Sequence, residues 1–243
     1  LRIVIFTQSF SFHPMSSISI LHSPISRSLT SLFEEQCDKS RTPGMAAYMK
    51  HQFSFFGVSA PVRKLITQEV RASMSLSLED PFPVWVKECW ESPFREMQYA
   101  ALDLLASKKK NLDPKHLPML EWMIVNKSWW DTVDSIAPSL AGTIFLNYPD
   151  SRDAFIFRWL QSGNMWLQRA SILFQLKHGR QTDWDFLQLA IKTHIDSKEF
   201  FIRKAQGWAL RQYARVAPAE VRLFVSNHPE LSGLTKREAL KHL

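Results

Sequence analysis

From about Leu29 to the end of the chain, apolar residues return at three- and four-residue intervals, the spacing of one buried helix face. Ser59-Ala60-Pro61 ahead of Val62, Leu65, Ile66 and Val70 predicts a capped helix with an early proline and an amphipathic face. Asp113-Pro114 opens another, with Leu117, Leu120, Met123 and Ile124 as its buried stripe. Pro149-Asp150 precedes Phe155, Ile156, Trp159 and Leu160, and Gly163-Asn164 breaks that run. Thr182 begins a helix carrying Trp184, Leu187 and Ile191, and Pro218 one carrying Val221, Phe224 and Val225. The pattern predicts about twelve helices joined by short turns and no strand.

Helices of this size in series suggest a solenoid, and the chain does repeat. Glu96–Ala101, Trp166–Ser171 and Phe201–Gln206 align without gaps at multiples of 35 residues, with Ala100, Ala170 and Ala205 as equivalent small residues. Equivalent positions of stacked repeats line up on one surface. Asp134, Arg169 and Lys204 are equivalent, so they should form a row, with Trp130 one turn before Asp134 and Trp208 one turn after Lys204. The expected fold is an all-α superhelix of HEAT-like repeats with a concave groove.

Composition adds a candidate partner. The formal charge is +7 with a pI near 9.5, which favours a polyanion, nucleic acid before an anionic membrane surface. Lys127, Arg169, Lys177, Arg180, Lys204 and Arg211 are the cations nearest the row, with helical spacing between Arg169 and Lys177 and between Lys204 and Arg211. Lys108-Lys109-Lys110 reads as a solvated helix end. Two cysteines, Cys37 and Cys89, form neither a metal-ligand pattern nor a disulfide framework, so a reducing compartment is the default. No apolar run is long enough to span a bilayer.

Residues 1–27 differ from the rest. They are rich in serine and aromatics and hold no carboxylate, the first being Glu34. They fit an organellar transit segment, a disordered leader or an over-extended start, and the folded domain is expected over 28–243. An organellar or nuclear address depends on whether this segment is a genuine leader; otherwise the expected setting is intracellular, in the cytoplasm or nucleoid.

The chemistry concentrates in Lys127-Ser128-Trp129-Trp130-Asp131-Thr132-Val133-Asp134. Taken alone, the tryptophan pair reads as packing and the aspartates as solvated or capping groups. The repeat shifts that balance by setting Asp134 in a row of alternating acid and base bordered by tryptophan. Trp130 shares a helix face with Asp134, whereas Trp129 is turned about 100° away toward packing. The histidines lack metal-site spacing, and neither a glycine-rich phosphate loop nor a GxSxG turn occurs, so no metal or cofactor is expected. A lone carboxylate beside aromatics suits stabilisation of a developing cation, as in glycosidic bond cleavage.

These residues resemble the AlkD-type DNA alkylation repair proteins, HEAT-like-repeat alkylpurine DNA glycosylases, from about Leu29 to Leu243. The segments that carry the resemblance are Tyr48-Met49-Lys50 with Phe56-Gly57 and Arg63, the 127–134 block, Trp166-Leu167-Gln168-Arg169, Phe201–Trp208 and Ser232–Leu240. The resemblance implies catalytic roles for Asp134, Trp130 and Trp208, a phosphate contact for Arg169 and a DNA contact for Tyr48, which by its residue type alone reads as core. It also implies a cofactor-free, monofunctional hydrolase of N3- and N7-alkylated purines in duplex DNA, leaving an abasic site without flipping the base. Lys177, Lys204 and Arg211 would complete the DNA-binding set, in a chain expected to be monomeric. The competing expectations are a non-catalytic repeat protein that binds bent or branched DNA and a protein-interaction solenoid with an acidic partner.

Overall fold

A computed structural model describes residues 22–243, so most of the expected leader lies outside the described residues. Helix α1 (Pro24–Glu35) begins ahead of the expected boundary at residue 28, because Ser23 caps it and Ile25 and Ser26 are already buried. The short α2 (Thr42–Tyr48) and then α3 (Ala60–Ser73), α4 (Val84–Glu91), α5 (Arg95–Ser107) and α6 (Leu117–Val125) complete the first half. They are followed by α7 (Trp130–Ile136), α8 (Gly142–Asn147), α9 (Pro149–Leu160), α10 (Met165–Leu173), α11 (Trp184–Thr193), α12 (Phe200–Tyr213), α13 (Pro218–Asn227) and α14 (Gly233–Ala239). Among the described residues there is no strand, only an isolated bridge between Ser54 and Phe94, and no helix is long and apolar enough to cross a membrane.

The fold is an all-α helical repeat. Helices α3, α5, α7, α10 and α12 begin at Ala60, Arg95, Trp130, Met165 and Phe200, a constant interval of 35 residues. Each packs on the next, forming one row that α14 closes, while α4, α6, α9, α11 and α13 alternate with them in a second row. The aligned alanines Ala100, Ala170 and Ala205 are wholly buried. Their neighbours explain the rest of the repeat. Gln98, Gln168 and Arg203 are equivalent, and each donates a side-chain N–H to the carbonyl of Ser92, Ser162 or Ser197, themselves equivalent. Each bond ties the start of a first-row helix to the turn before it, satisfying a carbonyl that the preceding element leaves unpaired.

Two details exceed the expected helix count and bear on the site. The run from Trp130 to Asn147 is nearly one rod, divided by a π-helical turn over Ala137–Ala141. Pro138 has no N–H to give to the carbonyl of residue 134, so the helix widens and Gly142 donates to Ala137 instead. Gly142 is required there: a Cβ would stand 2.3 Å from the carbonyl oxygen of Phe174.

Candidate active site

Helix α7 carries two carboxylates one turn apart, each met by an arginine from a neighbouring repeat. Arg169, on α10, grips Asp134 side-on, Nε to Oδ1 at 2.7 Å and Nη2 to Oδ2 at 2.8 Å. Its remaining nitrogen donates to the carbonyl of Phe201 at the head of α12. The Arg169 side chain is 3% exposed and that of Asp134 15%. Burial pushes the Asp134 carboxyl above its ordinary range, opposed by the Arg169 hydrogen bonds and charge.

Asp131 faces the other way along the rod, toward α5. Arg95 donates to it through Nε at 3.0 Å and Nη2 at 2.6 Å, and the Tyr99 hydroxyl adds a third bond at 2.6 Å. Arg95 also reaches the Lys127 carbonyl and the Thr132 hydroxyl, and its guanidinium lies 3.7 Å from the Phe53 ring centre. This arginine is completely buried.

Trp130 follows Trp129, which caps α7 in extended backbone. The two rings part as their helical phase requires. Trp129 packs against Trp166 and Phe201. Trp130 instead meets Tyr48 edge to face, with ring centres 5.9 Å apart. Tyr48 is 68% exposed, so it is a surface aromatic and not the core residue its type suggests. All three non-glycine residues with left-handed backbone among the described residues flank this pair: Lys50 and His51 after Tyr48, and Lys127 before Trp130. Such backbone costs on the order of 1–3 kcal/mol per residue and persists where surrounding contacts impose it. A cleft of 560 Å³ opens beside the two rings, with Met45, Tyr99 and Asp131 among its lining. Trp208 is half-buried on α12, and Phe200 at the start of that helix is 58% exposed.

The expected phosphate-binding cations are differently placed. Arg169 is buried and committed to Asp134, so in this arrangement it positions the carboxylate and offers no exposed guanidinium to a phosphate. Lys204 and Arg211 both hold Glu238 of α14. Lys177 is exposed and donates to Ser139, and among the described residues it has no carboxylate within ion-pair distance. The physical reason is the repeat itself. Charged residues about 35 apart stack on each other, so acid and base one repeat apart pair within the protein before any ligand arrives. Sequence reasoning missed Arg95, Tyr99 and Glu238. Arg95 had a signal, because it stands immediately before the aligned segment that begins at Glu96.

The surface around α7 thus offers a partly buried carboxylate held by arginine and the exposed ring of Tyr48 beside Trp130, in a chain of net charge +7. That combination suits stabilisation of positive charge next to a polyanion. The DNA alkylation repair enzyme family matches residues 29–243, and the chain belongs to that family. Among solved structures it is similar to a protein described as "Predicted DNA alkylation repair enzyme from Enterococcus faecalis", with 29% identity and a TM-score of 0.79 over 86% of this chain and 97% of that one. Among curated proteins, none matches the chain significantly.

Proposed function

We propose that the protein is a monofunctional DNA glycosylase that releases cationic N3- and N7-alkylated purines from duplex DNA. Alkylation at these nitrogens makes the base a good leaving group, so the enzyme must chiefly stabilise the cation that develops on deoxyribose. The observation that carries this reading is Asp134. It is an anion in a low-dielectric setting, fixed side-on by Arg169 and 15% exposed, one helical turn from Trp130. Because Arg169 occupies one side of each oxygen, the remaining lone pairs are available to the sugar or to an attacking water. Trp130 and Trp208 would pack against the sugar-phosphate backbone and add cation–π stabilisation. Tyr48, Lys177, Lys204 and Arg211 would hold the strand. Water attacks the anomeric carbon and loses a proton to solvent, the cationic base departs as the neutral base with the bonding electrons, and an abasic site remains.

Purified protein should release alkylated bases from methylated duplex DNA, identified chromatographically, and Asp134→Asn should slow release by about 10²–10³ while keeping most duplex affinity. Release by the variant at the wild-type rate would remove Asp134 from the chemistry. Tight, salt-dependent binding with no base released by either protein would instead identify a non-catalytic DNA-binding member of the family.

A further inference from the structure

Lys204, Trp208 and Arg211 occupy positions i, i+4 and i+7 of α12, one face of that helix, and a single carboxylate from α14 stands across it. Glu238 accepts from Lys204 Nζ at 2.6 Å through Oε1 and from Arg211 through Oε2. The carboxylate side chain is 16% exposed, against 39% for Lys204 and 21% for Arg211. The Lys204 hydrogen bond, with help from Arg211, holds its carboxyl below the usual glutamate range, so it is an anion at neutral pH. The approach that brings it there depends on Gly207, beside Trp208. A Cβ at position 207 would lie 2.5 Å from the Glu238 Cβ and 2.8 Å from the Thr235 carbonyl oxygen.

We infer that Glu238 is a built-in counter-anion that stands in for a DNA phosphate and restrains the protein's affinity for undamaged duplex. The inference rests on the proposed DNA-binding role of Lys204 and Arg211 and adds a residue that regulates it. Two cations and one carboxylate leave a net charge of one on the face that Trp208 shares. A phosphate reaching either cation must compete with Glu238 for its donors or add to them against the repulsion of a like charge. Charge repulsion of this kind acts on every backbone the groove meets, damaged or not. Contacts confined to the lesion are unaffected, so the penalty falls proportionally hardest on non-specific complexes. Restrained affinity for ordinary duplex also favours release of the abasic product.

The test is the salt dependence of binding to undamaged duplex by Glu238→Gln, which keeps the shape and an acceptor but not the charge. Affinity should rise about tenfold at about 0.05 M salt, and the slope of log affinity against log salt should steepen by about 0.9, the release of one further counterion. Glu238→Asp, which keeps the charge, should retain the wild-type slope. Lys204→Gln combined with Glu238→Gln leaves the face with the wild-type net charge, carried by Arg211 alone, and should return both affinity and slope to wild type. Unchanged or weaker binding by folded Glu238→Gln would overturn the inference, as would a double variant that behaves like the single one. Wild-type protein with no affinity for any duplex would overturn the underlying DNA-binding reading, a different and recognisable failure.

Discussion

The two aspartate–arginine pairs on α7 use the same chemistry three residues apart and differ in how completely each carboxylate is occupied. Asp131 receives three donors, two from Arg95 and one from Tyr99, and its side chain is 7% exposed. Asp134 receives two, both from Arg169, and is 15% exposed. A carboxylate with two side-on bonds and a third on one oxygen has little left to offer a substrate. One held only along its arginine edge keeps a free edge. The saturated pair locks α5 to α7, and the open pair fixes an anion in place with acceptor capacity to spare. Burial alone would have ranked Asp131 as the better-developed site; counting donors reverses that order.

The comparison breaks most easily on stability. Removing one member of a fully buried ion pair strands the other, so Arg95→Met should cost about 3–5 kcal/mol, read as a lowered denaturation midpoint at unchanged denaturant slope. A loss below about 1 kcal/mol would mean that Asp131 relaxes to water and that its pair is not a structural lock. The next largest effect belongs to the open pair. Asp134→Asn should lower the single-turnover rate of base release by about 10²–10³, the magnitude seen when one preorganised electrostatic contact is removed from a transition state. Asp131→Asn, assayed on the folded fraction, should keep a rate within a few-fold of wild type. If those two variants exchanged behaviours, the roles of the carboxylates would have to be exchanged with them.

Much of this is legible in the amino-acid sequence. The interval between Asp134, Arg169 and Lys204 located the row, and the 35-residue spacing of first-row helices is the same interval made structural. The different directions of Trp129 and Trp130 follow from 100° of helical rotation per residue. What the spacing did not carry was the pairing within the row. Alternating acid and base along a surface fits a groove that binds a polyanion. It fits equally a ladder in which neighbours neutralise each other, and only side-chain reach decides between them. Arg169 could extend to Asp134 one repeat back, and Lys204 found Glu238 on α14. Residue type alone would put Tyr48 in the core, whereas it is 68% exposed at the end of α2, shortly before two left-handed residues that no propensity predicts. The π turn was also hidden, although Pro138 inside an otherwise helical run was its signal.

Tyr99 sharpens the comparison at smaller scale, since its hydroxyl is the donor that distinguishes the two carboxylates. Tyr99→Phe should cost about 1.5–3 kcal/mol, the range for a hydrogen bond to a charged group, and leave base release nearly unchanged. If it instead raised the rate of Asp134→Asn toward wild type, the freed Asp131 would be substituting for the lost anion, and the two sites would be interchangeable.

The smallest predicted effect is on pH dependence, and its sign separates burial from pairing at Asp134. Burial favours the neutral acid, Arg169 favours the carboxylate, and burial is the larger influence, so the folded-state pKa lies above that of an unfolded aspartate. Between those two values the native state binds more protons than the unfolded chain. The contribution of Asp134 to stability is therefore greatest below the unfolded value and declines as pH rises through the folded one. Activity runs the opposite way, because the reaction needs the anion, so base release should rise with pH through the folded value. The acid limb of the single-turnover rate should lie above the ordinary aspartate range, and in Asp134→Asn this dependence should be absent from whatever rate remains. An acid limb below that range would mean that Arg169 outweighs burial. Asp134 would then be an ion pair first, as Asp131 is, and the difference between the two carboxylates would reduce to the Tyr99 hydroxyl.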